Sequence, residues 1–256
     1  MATNDSTPGA VDSGTTQAAQ PVKRRRGIWR KLRIGFIVFI GLCLIADWAW
    51  KMSGSNQWEL VKEENGVKSY TFKAPGDRTI KVKAVMEGDY TLTQLAAMHI
   101  VDDNLQTCKD WFPECSGFTR LKEFDMVKGY DLDMWRLDFP FPFKDRELLL
   151  TTIVSQDPTT KVVVLDVLAS PSTLPNSPDA VRIERMHNRW QFTPLANGKI
   201  EVELIQDTEM GGMFPYFLLN MVSVDENYKF FSGDLRKFLL KDKYVNAKLP
   251  FIQEVR

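Results

Sequence analysis

The chain has 256 residues, 44% of them hydrophobic and 26% charged, with 33 basic against 33 acidic side chains. This is ordinary globular composition, with room for one sizeable domain and appendages but not for two full-size domains. The net charge of zero is unevenly laid out: from Lys51 onward 26 basic residues face 30 acidic ones, a balance that argues against a phosphate-binding surface and so against nucleic acid as a partner.

Residues 1–22 carry almost no large apolar side chain, so they cannot offset their ordering entropy and are expected to be disordered. Lys23, Arg24, Arg25, Arg26, Arg30, Lys31 and Arg33 follow, with no acid among them, leading into an unbroken apolar run at 34–46 that Asp47 interrupts and Trp48, Ala49 and Trp50 extend. Crossing a bilayer takes about 20 apolar residues; Leu32, the interfacial tryptophans and snorkelling arginines make up the shortfall. The favoured reading is an uncleaved transmembrane anchor at 34–50 behind a basic tail at 1–33. Its basic end is cytoplasmic and the folded domain lies on the far side of the membrane, periplasmic if the source is bacterial. A signal peptide cleaved near Ser53-Gly54-Ser55, releasing a secreted domain, is the alternative, disfavoured by the bulky Trp50-Lys51-Met52 before it.

After a linker at 51–57, short β-rich runs are predicted at 58–63, 67–72 and 80–87, separated by Asn65-Gly66 and Pro75-Gly76-Asp77. Helical spacing begins from a Thr91 cap, and a second short helix ends near Trp111, stopped by Pro113. Cys108 and Cys115 flank that stop: a disulfide between them fits an oxidising compartment, and two separate thiols fit a reducing one. Strand-like runs are then expected at 118–124, 129–139, 147–155, 161–169, 180–192 and 199–208, with Asn197-Gly198 as a hairpin turn. A long helix starts near Phe214-Pro215, carries large apolar residues to Leu239, and has a local break expected at Asp225 or Asn227. A tail is expected at 241–256.

Residues spread along this layout resemble those of START domains. Trp58-Glu-Leu-Val followed by Asn65-Gly66-Val67-Lys-Ser-Tyr70 is similar to the opening strands. Asp102 or Asp103 followed by Trp111 resembles the helix-end motif, and Pro142-Phe143-Lys144-Asp145-Arg146-Glu147 resembles the Pro…Asp-Arg-Asp segment, with Glu147 in place of the usual Asp. Trp190 to Pro194, Gly211-Gly212-Met213-Phe214-Pro215 and Leu235-Arg236 are similar to the closing hairpin and lid helix. The resemblance covers residues 58–240 and is closer to bacterial START-like proteins than to animal sterol carriers. It implies an α+β helix-grip fold: a curved antiparallel sheet around a long C-terminal helix, with a tunnel between them for one apolar ligand and no cofactor.

The candidate ligand contacts are Arg146, Trp135, Trp190, Met213, Phe217, Met221 and Phe231. A buried arginine needs an acceptor such as a ligand oxygen, although Arg146 could equally pair at the surface with Asp145 or Glu147. Methionines repack around varied apolar shapes, Trp135 and Trp190 either line a cavity or fill a core, and Gly211-Gly212 would let a lid hinge. Neither Cys-x-x-Cys nor a Cys/His cluster occurs, so no metal is expected. No nucleophile–base pair or phosphate loop is visible either. His99 reads as a satisfied, partly buried histidine and His187 as a wet-face residue. The expectation is therefore a non-enzymatic binder of a lipid near a membrane, with a superfamily enzyme of cyclase or hydratase type, or a ligand-gated interaction module, as the alternatives.

Overall fold

A computed structural model describes residues 24–101 and 103–255. The expected disordered stretch 1–22 and the candidate Asp102 lie outside the described residues. The chain divides into two units, up to Ala49 and from Trp50 onward.

The first unit is the helix α1 (Arg24–Met52), whose last turn belongs to the second unit. Asp47 does not interrupt it: the helix runs through, and residues 27–52 form a segment long and apolar enough to cross a membrane, none of it buried.

The second unit is built on one open ten-stranded sheet. Its strands are β1 (Trp58–Glu64), β2 (Val67–Phe72), β3 (Lys81–Gly88), β4 (Cys115–Asp125), β5 (Tyr130–Leu137), β6 (Asp145–Gln156), β7 (Val163–Ala169), β8 (Ala180–Arg182), β9 (Arg185–Pro194) and β10 (Ile200–Glu209). Their spatial order is β1-β2-β3-β10-β9-β7-β6-β5-β4, all antiparallel, with β8 added parallel to β6. The turns follow local chemistry: Asn65 and Gly66 take φ of 52° and 72°, and Gly198 takes 81°, the left-handed values that tight hairpins need. The run expected as one strand at 180–192 is two strands. Residues 183–184 leave the ladder, where the Ile183 N–H donates to the Glu147 carbonyl (2.9 Å), so β8 pairs with β6 and β9 with β7 and β10.

Two short helices, α2 (Leu92–Ala97) and α3 (Leu105–Trp111), stand between β3 and β4. Thr91 and Gln94 close a capping box on α2, and Asn104 caps α3 by accepting from the Gln106 and Thr107 N–H groups. A disulfide joins Cys108 of α3 to Cys115 of β4, both buried, which ties the helix to the sheet it covers. Replacing both cysteines with serine is expected to cost about 2–3 kcal/mol through the unfolded state, read as a lower thermal midpoint that a reductant no longer shifts.

The C-terminal helix is α4 (Tyr216–Lys229), a π-helical turn (Phe230–Asp234) and α5 (Leu235–Leu239) in succession. The break expected at Asp225 or Asn227 is absent: Asn227 is buried and donates to Gln206 of β10 (2.6 Å), so it cannot compete for the helix backbone. The irregularity comes later, around Gly233. Tyr228 accepts from Asn65 (2.8 Å), while Asn220 accepts from the Ile80 N–H (3.0 Å) and donates to the Arg78 carbonyl (2.9 Å), so α4 is fastened to β2 and β3.

The segment after Leu240 is part of the fold rather than a tail. It forms α6 (Asp242–Val245), buries Tyr244, Leu249 and Ile252 in the core, and brings Glu254 onto the N–H groups of Leu92 and Thr93 at the start of α2. The expected linker at 51–57 is likewise strapped down. Lys73 Nζ donates to the Ser53 carbonyl (2.7 Å), the Asn56 N–H to the Lys73 carbonyl (3.1 Å), and Trp50 Nε1 to the Arg78 carbonyl (2.8 Å).

Candidate ligand-binding site

The apolar interior is not one mass. One cluster gathers α2, the C-terminal helix and the inward residues of β2, β3, β10, β9 and β7, with Trp190, Phe192, Phe231 and Tyr244 among its buried members. A second, smaller cluster gathers Cys108, Cys115, Leu137, Leu148, Leu150, Ile183 and Met186. Val167 packs against both, and the end of α3 divides between them: Trp111 leans on the first and Phe112 on the second. That division follows from the sequence, because Pro113 and the disulfide stop the helix while neighbouring side chains point to different sides.

The seam is half-buried and aromatic. Trp111 lies 4.9 Å from the His99 ring, 5.5 Å from Phe230 and 5.0 Å from Phe238, and Trp190 stacks on Phe231 at 5.8 Å. On the other side Trp135 meets Phe112 at 6.0 Å and Phe118 at 6.3 Å. Two buried polar atoms here, His99 Nε2 and Trp135 Nε1, have no hydrogen-bond partner among the described residues. The expectation of a satisfied His99 is therefore corrected. Its Nε2 is orphaned between tryptophan rings, and burial pulls its pKa down to about 3, which leaves it neutral.

Two positions before Trp135, on the same face of β5, the interior becomes strongly polar. Asp131 and Asp133 are buried, and Asp103 reaches them from the approach to α3. Arg120 of β4 bridges the group, with Nε 2.7 Å from Asp133 Oδ1 and Nη2 3.0 Å from Asp103 Oδ2. Burial pushes Asp103 up to about 8 against the pull of Arg120. Burial and then the Asp131 charge push Asp133 up to about 7, and burial raises Asp131 to about 6 despite its hydrogen bonds with Thr152. Little in the sequence points to this group. Its one signal was the alternation Asp131-Leu132-Asp133-Met134-Trp135, which places two carboxylates in register with an inward tryptophan. One oxygen from each aspartate lies within 4.8 Å of the others, a spacing a cation could use, and Arg120 already supplies positive charge there.

The candidate residues do not all converge. Trp190 and Phe231 form one stacked pair in the first cluster, and Trp135 stands across the seam. Met213, Phe217 and Met221 are 96%, 55% and 72% exposed, on the outside at the start of α4. Arg146 is buried beneath the connector between β10 and α4, and it pairs with neither neighbour: Asp145 binds Arg136 (2.9 Å) and Glu147 binds Arg182. Two clefts open beside that connector, one of about 600 Å³ bordered by Val181, Arg185 and Glu209, the other of about 210 Å³ bordered by Arg78, Phe214 and Tyr216. His187 is half-exposed on the outer face, 2.6 Å from Asp166.

No family model matches the chain. It is 27% identical over 176 residues to an uncharacterised protein of Pseudomonas aeruginosa, covering 67% of this chain and 81% of that one. Among solved structures, a fragment of the STAR-related lipid transfer protein of Xanthomonas axonopodis superposes with a TM-score of 0.62 at 20% identity, over 72% of this chain and 99% of that one. Human STARD10 gives 0.62 at 16% identity over 78% and 82%, and human StAR-related lipid transfer protein 5 gives 0.57 at 13% over 82% and 97%.

Proposed function

We propose that this chain, whose fold is the START-like helix grip, binds a single lipid or similar apolar molecule between its sheet and its C-terminal helix and exchanges it with a membrane. The observation that carries this reading is the seam between the two core clusters, aromatic along its length and holding two orphaned hydrogen-bonding atoms. A buried polar atom without a partner costs about 1–3 kcal/mol; a ligand hydroxyl, carbonyl or ester oxygen at His99 or Trp135 would remove that cost. Burying an alkyl chain contributes on the order of 0.8 kcal/mol per CH2, so about ten carbons approach the 8 kcal/mol of micromolar binding before ordering costs. The ligand enters a tunnel under the lid formed by the connector and α4, and the neighbours' names, lipid transfer proteins, agree with such a cargo.

The activity is binding rather than turnover. His99 is held neutral by burial and its Nε2 has no hydrogen-bond partner among the described residues, and His187 is half-exposed on the outer face. The chain is held by α1 as a single-pass anchor, with the domain outside the cytoplasm; the basic residues in the N-terminal turns of α1, Arg24 to Arg33, and the Cys108–Cys115 bridge both suit that orientation. Titrating delipidated full-length protein in detergent with a long-chain lipid that quenches tryptophan emission tests the reading. Saturation at one ligand per chain is expected, and a change that never saturates would contradict it.

A further inference from the structure

We propose that Arg146 is the latch of the C-terminal lid, a positioning residue that holds the connector between β10 and α4 closed and sets how fast ligand exchanges. This rests on the ligand-binding reading above and adds to it the element that controls entry. The side chain is 2% exposed, and no carboxylate among the described residues lies within ion-pair distance of it. Its charge is met by backbone carbonyls instead. Nε donates to Met210 O at 2.6 Å, Nη1 donates to Lys144 O, and Nη2 reaches Gly211 O at 3.5 Å. The guanidinium carbon lies 4.7 Å from the Phe139 ring centre and 5.6 Å from that of Phe214, while Phe214 itself packs on Phe139 and Phe143. Met210, Gly211 and Phe214 all belong to the lid's connector, so one cation from β6 grips it at three places.

Beyond that grip, Met210 packs on the second core cluster and the Phe214 N–H donates to the Gly211 carbonyl at 3.4 Å. Gly211 and Gly212 take φ of +64° and +58°, successive left-handed values that side chains resist, and a Cβ at either position would press on Val181. The two clefts flank it, and Met213 just beyond is 96% exposed. Swinging the connector away would strip two acceptors from a buried cation, which opposes opening until water or a ligand oxygen replaces them. The empty closed lid and the loaded closed lid both keep this grip and lie on opposite sides of that barrier. Weakening the grip therefore accelerates uptake and release together and leaves affinity nearly unchanged.

The test compares wild type with Arg146→Met and Arg146→Lys, each as full-length protein in detergent, by amide hydrogen exchange and by stopped-flow exchange of a fluorescent phospholipid. Arg146→Met is expected to speed exchange of amides at 210–216 by about tenfold with the amides of β3 and β9 unchanged, the signature of local opening. Uptake and release are expected to rise together by about fivefold, with Kd constant within about twofold. Arg146→Lys, which keeps the charge but loses the fork, falls between and serves alone if the methionine variant does not fold. Connector amides that exchange as in wild type overturn the latch, as does a uniform rise across the whole domain. If wild type takes up no lipid, the ligand reading fails, and the amide measurement still decides the latch.

Discussion

Arg182→Ala is expected to destabilise the domain by about 3–5 kcal/mol, because it leaves a buried carboxylate without its cation. Arg182 and Glu147 have side chains 2% and 5% exposed and meet through Nε–Oε1 at 2.7 Å and a second, shorter contact from Nη2. Arg182 also donates to the carbonyls of Pro171 (2.7 Å), Leu174 (3.0 Å) and Pro175 (2.8 Å), and the Ser177 hydroxyl donates to Glu147. One ion pair thus organises the loop between β7 and β8 and fixes β8 beside β6. Losing either partner removes these bonds and strands the other charge, whereas replacing both with methionine removes the stranded charge too. The single variants are expected to lower the thermal midpoint by roughly 10 °C, and the double variant by clearly less than the sum of the two. Unfolding of Arg182→Ala within about 1 kcal/mol of wild type would show that the pair carries little.

The stability of the domain is expected to fall as pH rises from about 4 to about 8, opposite to the usual behaviour of salt-bridged carboxylates. Asp131, Asp133 and Asp103 are held at about 6, 7 and 8, above their ordinary value of 3.8. The folded state therefore keeps protons that the unfolded chain releases above about pH 4. The stabilisation is fully present below that pH and is lost as pH climbs through the raised values, at about 1.4 kcal/mol per pH unit for each excess proton. The charges facing the group are Arg120 and Glu123 from β4 and Lys243 from α6, with Thr152 of β6 donating to Asp131. Arg120, paired with two of these carboxylates and only near the third, cannot hold all three ionised in a buried site. Asp131→Asn keeps the acceptor for the Thr152 N–H and removes one charge. It is expected to raise stability at pH 8 by about 1–2 kcal/mol and to flatten the slope, as measured by urea unfolding at stepped pH. A wild-type stability that rises over this window would contradict the burial of these acids as charged neighbours.

What the sequence made legible was local. Thr91 with Gln94, Asn65-Gly66, Asn197-Gly198 and Pro113 each act within a few residues, and the turns and helix ends they mark lie where the pattern placed them. The antiparallel sheet and the long C-terminal helix followed from the START resemblance, and similarity to solved lipid transfer structures shows the same fold. What stayed hidden depends on partners far apart in the chain. Arg120 finds Asp103 and Asp133, Arg182 finds Glu147, and Arg146 finds carbonyls 64 and 65 residues away. Charge type and alternation alone do not choose among such partners. Methionine content suggested Met213 and Met221 as contacts, but composition does not say which side of α4 faces in, and both are exposed. The continuation past Leu240 looked like a tail because Tyr244, Leu249 and Ile252 are spaced without a period, although all three are buried.

The central claim is that the seam beneath the C-terminal helix holds one apolar molecule, and native mass spectrometry of full-length protein extracted from its own membrane tests it most directly. The expected spectrum shows a population carrying a single lipid per chain, lost on collisional activation, and an intact N-terminus that retains α1. Protein that emerges free of lipid under conditions that preserve folding, and that acquires none when lipid is added back, would contradict the claim.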